Sequence, residues 1–505
     1  MKKIKIYALA FLSLMMASCQ DFLTRYPDTA IPEEKAMQTL EDCSEVVLGI
    51  YSCFKNSGLY SGALTIAPDL QSDYVYAVKG YSNAYGDIYR WEIKSNDSYI
   101  SSTYAGLYQI ASRCNFFMDY KDQVYSTLKT DAQKEEFNRR LADVYFARAI
   151  AYADLIRTFC DAYDPAKAND QLGISLVDTY KGTDIVVPRA SLKESYEFVL
   201  NDLDQSEKYM TREGSDSKYF TKGAVWALKS RIYLYMHEWA KSKEYAEKVM
   251  NLKYYELADA TTIRYIDQET NEQISEYEVM WRYDESKEVI WKIAMSTTDK
   301  GGSLGRIFLG FNSSKYYPDY IPGTEVINKY ENNDFRYYAF FAPVKTGYGF
   351  DATLLRKYPG NADIDAGTGR YFVNMPKVLR LSEVYLIHAE ASANLGDYQA
   401  ANNSLNQLKL KRIKGYSAGR FDESKIMQEI QDERYRELIM EGFRLSDLKR
   451  WGKGFERKKQ QNTIDGPSNN QLKVTKDRVE FTWPIPQHEL DATGGVVLPN
   501  PSNRK

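Results

Sequence analysis

The chain has 505 residues, 44% of them hydrophobic, enough to bury the core of one large or two ordinary domains. A net charge of −3 with no basic stripe argues against nucleic acid as a partner. Five cysteines without a Cys-x-x-Cys spacing support neither a metal or redox centre nor a disulfide-framed fold.

In chain order, the first element is a leader. Lys2, Lys3 and Lys5 are followed by an apolar run from Ile6 to Met16 and then by Met16-Ala17-Ser18-Cys19. That is the charged, apolar, small-residue order of a secretory signal. The run of about eleven residues falls short of the roughly 20 that a spanning helix needs. A cysteine at the cut site resembles the bacterial lipoprotein signal, which implies cleavage after residue 18 and lipidation of Cys19, palmitate included. More than one acyl chain gives stable anchoring. Cleavage removes three lysines, so 63 basic residues remain against 69 acidic ones, a mature charge of −6. No later stretch is apolar and long enough to span a bilayer.

The mature chain reads as mainly α-helical, with apolar residues three and four apart. Segments near 33–56, 191–210, 220–251, 377–413 and 423–450 follow this pattern, as does a long helix running to about Arg157. Its apolar face carries Phe137, Leu141, Val144, Ala151, Leu155 and Phe159. Cys43 and Cys53 share the first of these helices at about 15 Å, too far to bridge. Long stretches rich in Tyr, Gly and Asn lie between the helices, at 57–100, 159–190, 252–376 and 453–505. Irregular stretches of that length usually carry function. The alternation of Glu288 to Ile293 predicts one short strand, so β structure is minor.

Two of the helical segments share a spacing. Trp226, Ser230, Tyr233, Ser242, Ala246 and Val249 fall at the same offsets as Tyr385, Ala389, Ser392, Ala401, Leu405 and Leu408. Large residues beside small ones at these offsets are the tetratricopeptide pattern, in which small side chains let paired helices approach closely. Two such units are too few for a solenoid, so they belong to a larger helical body.

Tyrosine is the compositional outlier, with 42 against 21 Phe and 7 Trp. A ring bearing a hydroxyl suits surfaces that are both apolar and wet. Asp73, Tyr74, Tyr76, Tyr81, Asn83, Tyr85, Tyr89 and Trp91 crowd the first loop; Trp281, Tyr283, Tyr316, Tyr317 and Tyr320 form a second group. A sugar presents a C–H face that stacks on flat rings and hydroxyls that need Asp, Asn or Arg. These two groups are therefore the candidate ligand-binding residues, although any one ring can instead pack against the helices.

Three motifs invite other chemistry. Gly415-Tyr416-Ser417-Ala418-Gly419 is a literal G-x-S-x-G, but a nucleophile elbow needs a preceding strand, and Asn406 to Arg412 reads as a basic helix end. His237, His388 and His488 show no metal or triad spacing; His237-Glu238 lacks the second His of H-E-x-x-H, and His388 lies within a helix. Asn361-x-Asp363-x-Asp365 lacks the Gly and the bidentate Glu of a calcium loop and reads as a polar turn. No catalytic residue, metal or cofactor is expected.

The ordered motifs resemble those of the SusD/RagB family of Bacteroidetes outer-membrane lipoproteins. They begin with Cys19-Gln20-Asp21-Phe22-Leu23 and continue through Arg148 to Tyr152, Gln171 to Leu176, Val187-Pro188-Arg189 and Lys222 to Trp239. The tail is the most specific part: Arg380 to Leu386, Glu433-Arg434, Glu437-Leu438, Glu441-Gly442 with Arg444, Asp447 to Gly452, Trp483 to Pro486 and Pro499-Asn500-Pro501. The run at 171–176 departs slightly from the family pattern. The resemblance implies a SusD-like domain over residues 19–505: a helical body with tetratricopeptide-like helix pairs and long ligand-binding loops, including an insertion at 252–376. It also implies a non-enzymatic lipoprotein of the cell outer membrane, facing the exterior. Such a protein captures oligosaccharides, or peptides, for a SusC-like TonB-dependent transporter. A helical-repeat interaction scaffold without a small ligand and a surface glycosidase are the rival readings. Glu437, Glu441, Arg434 and Arg444 are expected to form a structural ion-pair network rather than a ligand site.

Overall fold

The computed structural model describes residues 36–180, 186–214, 216–266, 271–365, 372–464, 466 and 472–503. The leader, Cys19 and the Cys19-to-Leu23 opening lie outside the described residues.

Helices start where capping residues precede amphipathic runs. Thr39 caps α1 (Leu40–Cys53), a short α2 (Ala63–Leu70) follows, and Asp97 caps the 30-residue α3 (Ser98–Thr127). Thr130 with Gln133, and Ser191 with Glu194, form capping boxes for α4 (Asp131–Phe159) and α5 (Leu192–Tyr209). Each box satisfies two backbone N–H groups that the helix start leaves without partners. Helices α3, α4 and α5 pack in sequence, and α1 lies across α3 and α4. Trp291 sits deep in this core, ringed by Phe54, Tyr60, Phe146 and Phe220 at 4.9–6.0 Å.

The two units of shared spacing are helix hairpins: α6 (Lys222–Tyr235) with α7 (Trp239–Met250), and, beyond the insertion and its short α8 (Glu276–Arg282), α9 (Leu381–Asn394) with α10 (Tyr398–Leu410). α7 packs directly on α9, so the hairpins stack despite about 130 intervening residues. The small residues make this possible. Ser230, Ser242, Ala246, Ala389, Ser392 and Ala401 are fully buried, and the Ser242 hydroxyl donates to the Ser230 carbonyl across the first hairpin (2.9 Å). Two further helices, α11 (Ile426–Glu437) and α12 (Arg444–Arg450), complete the body. Among the described residues no helix is long and apolar enough to cross a membrane.

β structure is minor but decides where the loops go. β1 (Val75–Val78) is central in a three-stranded antiparallel sheet; the insertion contributes β2 (Val289–Lys292), β3 (Tyr320–Pro322), β4 (Phe341–Lys345) and β5 (Asp351–Leu355). β6 (Lys377–Arg380) pairs with β2, the strand expected at 288–293, and β4 pairs with β5 as a hairpin. β1 is flanked by β3, with Tyr76 opposite Ile321, and by β7 (Thr463–Ile464), with Val78 opposite Thr463. The N-terminal strand thus joins the insertion's own apolar cluster, where Tyr74, Val75 and Tyr89 pack with Trp281, Tyr320 and Phe340.

A buried charge network fastens the insertion to the last helices. Glu437 accepts from Arg336, Arg380 and Arg412 at 3.0–3.1 Å, and all four side chains are at most 1% exposed. Glu288 binds Arg380 and Arg412, Glu433 binds Arg336, and Glu441 binds Lys357 and Arg380. The structural role expected for Glu437 and Glu441 is what these contacts show. Arg434 and Arg444 pair elsewhere, with Asp447 and Asp73.

Burial alone would raise the Glu433 carboxyl, but Arg336, Arg436 and Lys409 hold it down at about 2 against an ordinary 4.5. A depressed carboxyl adds stability above the unfolded value and loses it as pH falls through the folded value. Stability is therefore expected to drop between pH 4.5 and about 2. Glu433→Gln should be less stable at neutral pH and show a flatter slope across that window in acid-unfolding curves followed by circular dichroism. An unchanged slope would remove Glu433 from the account.

Candidate functional site

The strand pairing of β1 with β3 brings the two aromatic loops together at one end of the small sheet. Loop 79–92 leaves β1, and residues 316–319 enter β3. Asp319 clamps them: it accepts from the Ser82 backbone N–H (2.6 Å) and from the Ser82 hydroxyl (2.9 Å). The Tyr320 hydroxyl donates to the Ala84 carbonyl (2.5 Å), and the Tyr81 ring meets Tyr320 edge-on at 5.6 Å.

Above this clamp lies a partly exposed surface of rings and hydrogen-bonding groups. The Tyr81 hydroxyl donates to Asn83 Oδ1 (2.9 Å) and accepts from the Arg90 guanidinium (2.5 Å), which Asp87 and Glu92 fix at 2.6 and 2.8 Å. Burial raises the Tyr81 phenol above its ordinary value, so the hydroxyl stays protonated and able to donate. Tyr85 stacks on Tyr99 at 3.9 Å. Asn83, Tyr85 and Trp91 all have φ between 56° and 66°, the left-handed region that non-glycine residues seldom adopt. Three such residues within nine mark a loop whose shape its surroundings impose, and strain of this kind clusters at ligand clamps.

The tip of the β4–β5 hairpin supplies the rest. Tyr348, 37% exposed, lies edge-on to Tyr317 at 5.3 Å and parallel to Phe350 at 6.2 Å. Gly347 is required here, because a Cβ would stand 2.2 Å from the Tyr317 ring. A Cβ built on Gly80 would lie 4.0 Å from Tyr348, so the hairpin tip sits beside the first loop. A groove of about 640 Å³ continues from Phe350 along β3 and β5 to residues 458–462.

Family comparisons agree with this architecture. The SusD family model matches residues 345–502, and a second model, described as starch-binding associating with outer membrane, matches residues 21–234. The chain belongs to the SusD family. Its relatives include SusD-like protein P25 of Formosa agariphila, 22% identical over 90% of each chain. SusD-like protein P38 of the same organism is 23% identical over 96% of this chain and 97% of that one. Among solved structures, a SusD superfamily protein from Bacteroides thetaiotaomicron superposes with a TM-score of 0.79 at 22% identity, covering 92% of this chain and all of that one. A putative sugar binding protein from Bacteroides vulgatus gives 0.75 at 24% identity, covering 93% and 99%. At these identities the structural likeness establishes the shared SusD fold.

The sequence-predicted residues divide sharply on this SusD scaffold. Tyr81, Asn83 and Tyr317 reach the platform, whereas half-buried Tyr85 stacks on Tyr99 of α3. Tyr74, Tyr76, Tyr89, Trp91 and Tyr320 do not reach it: each is at most 2% exposed, and their polar atoms are spent on Tyr435, Glu325, Ile464, Gln71 and Ala84. Asp73 is committed to a two-point ion pair with Arg444 (2.8 and 2.9 Å). Trp281 is 1% exposed, with Lys357, Lys377 and Arg380 over its ring at 4.3–5.2 Å. It and Tyr316 line a separate cavity of about 410 Å³ whose Arg282 and Arg356 share Glu272 and Glu278 as ion-pair partners. Tyr283 packs on Tyr265, away from both places. The sequence reading missed Arg90, Asp319, Tyr348 and Phe350. The Gly347-Tyr348-Gly349-Phe350 turn, aromatic rings alternating with glycine, was the available signal for the last two.

The rival motifs find ordinary places. Ser417 lies in an exposed loop after α10, with Gly415 at φ +71° and Asn406 tying the loop back through Tyr416 and Gly419. His388 is packed between Ser404 (2.7 Å) and Glu247 (3.2 Å). Asn361 turns the chain by accepting from the Asp363 N–H, and its amide donates to Asp284. Among the described residues no group of three or more His, Cys, Asp or Glu is placed to hold a metal ion.

Proposed function

We propose that this chain is an outer-membrane lipoprotein, anchored through Cys19 and facing the exterior. It holds oligosaccharides non-covalently for import through a SusC-like TonB-dependent transporter. The observation that carries the reading is the platform on which exposed Tyr348 and half-buried Tyr81, Tyr317 and Phe350 stand beside Asn83 and the fixed Arg90. Rings offer faces to sugar C–H groups, and the amide and guanidinium offer partners to hydroxyls. A shallow site of this kind binds moderately and releases its cargo, as delivery to a transporter requires. Support also comes from the starch-binding description of the family model that matches residues 21–234.

The test is calorimetric titration of soluble residues 20–505 against panels of glycans and peptides, with chromatography of the glycans afterwards. Saturable glycan binding without new products is expected. Peptide binding alone would transfer the site to peptide cargo. Released saccharide fragments would make the protein a glycosidase, and no saturable binding would leave a scaffold.

A further inference from the structure

The groove beside the platform differs from it in charge. Lys458 and Lys459 line it, both are exposed, and among the described residues neither has a carboxylate within ion-pair distance. Lys79, whose backbone N–H donates to the Asn462 carbonyl at the groove's end, is likewise exposed and unpaired, as is Lys345 at the end of β4. Lys79 and Lys345 flank the lining, which itself sets two carboxylates, Glu325 and Asp351, against Lys458 and Lys459. Half-buried Glu325 accepts from the Tyr76 hydroxyl at 2.5 Å, and Asp351 is opposite Lys345 in the hairpin register. With Glu325 bonded to Tyr76 and Asp351 beside Lys345, it is Lys458, Lys459 and Lys79 that stand without a carboxylate partner at the groove, in a chain that is acidic as a whole. Fixed charges lining a cleft concentrate ligands of opposite sign there and speed their arrival.

We infer that the ligand is an anionic oligosaccharide, carrying carboxylate or sulfate groups, whose sugar faces rest on the Tyr81–Tyr348 platform while its charges run along Lys458 and Lys459. This rests on the carbohydrate reading above and narrows it. Lysine suits the task because an ammonium on a flexible stem serves carboxylate and sulfate alike as a point charge, without demanding the planar two-point geometry that arginine imposes.

The experiment compares three length-matched probes by calorimetry: oligogalacturonate for carboxylate, chondroitin sulfate oligosaccharide for sulfate with carboxylate, and maltooligosaccharide as the neutral arm. Each is titrated into the wild type and into Lys458→Gln/Lys459→Gln. Both substitutions are at exposed positions, so a thermal melt matching wild type is expected and checks that the variant is folded. At least one anionic probe should bind roughly tenfold more tightly than the neutral one, an advantage that the double variant largely loses. That advantage should also fade in about 1 M NaCl, where the Debye length shrinks to about 3 Å. The responding arm identifies the anion. Neutral binding as tight as anionic, or anionic binding unchanged in the variant or in high salt, overturns the charge preference and leaves the carbohydrate reading standing. Failure of all three probes to bind the wild type overturns both.

Discussion

Glu437→Ala is expected to destabilise the protein by about 3–5 kcal/mol, the usual cost of removing one partner from a buried charge cluster. Glu437 is the point where Arg336, Arg380 and Arg412 converge, and all four side chains are essentially without solvent contact. Burial by itself would raise its carboxyl, yet Arg412, Arg380 and Arg336 hold it well below the usual carboxylate range. Deleting the carboxylate leaves three guanidiniums facing one another, with Glu288, Glu433 and Glu441 only partly able to compensate. The cost should appear in urea unfolding monitored by circular dichroism. Because the network fastens the insertion to α9–α11, Trp281 in the insertion's own apolar cluster should lose its fixed environment at lower denaturant than Trp291, which also belongs to the insertion but packs in the helical core. A loss under 1 kcal/mol would mean that the network is not the fastening.

Tyr81→Ala combined with Tyr348→Ala is expected to lower oligosaccharide affinity about a hundredfold, with each single change costing roughly tenfold. Aromatic faces at such sites contribute on the order of 1–1.5 kcal/mol each. The two rings come from loops about 270 residues apart and make no direct contact with one another in the structure, so their effects should add. Stability should change little for Tyr348, whose ring is already 37% exposed. Trp91→Ala makes the contrasting control. Its indole donates to the Gln71 carbonyl beneath Phe455 and Phe481, so that change should lower stability rather than remove a ligand contact. Unchanged affinity in the double variant would move the site elsewhere, with the Trp281–Tyr316 cavity the next candidate.

The helical body was legible in the sequence because its evidence is local. Thr130 and Ser191 announce helix starts three residues ahead of Gln133 and Glu194, and small residues at 230, 242, 389 and 401 mark close-packed hairpins wherever they fall. That α7 would meet α9 across an insertion of about 130 residues was implied only by the spacing the two hairpins share. Aromatic loops were visible as a concentration of Tyr, but not their division into buried and exposed rings. Val75 to Val78 are all buried, so the period-two rule that sorts a half-exposed strand has nothing to sort. Tyr76 and Tyr320 lie inside because β1 takes a strand from position 320 on one side and another from position 463 on the other. Such burial follows from pairing partners hundreds of residues away, which a local window cannot register. Asp73 was misjudged for the same reason: its partner, Arg444, is 371 residues distant.

Amide hydrogen exchange with a saturating bound oligosaccharide tests the central claim most directly. The account predicts slowed exchange at residues 79–90 and 346–350 together, since one ligand would cover both loops. Protection confined to the cavity lined by Trp281 and Phe372, with those two loops exchanging as in the free protein, would contradict it.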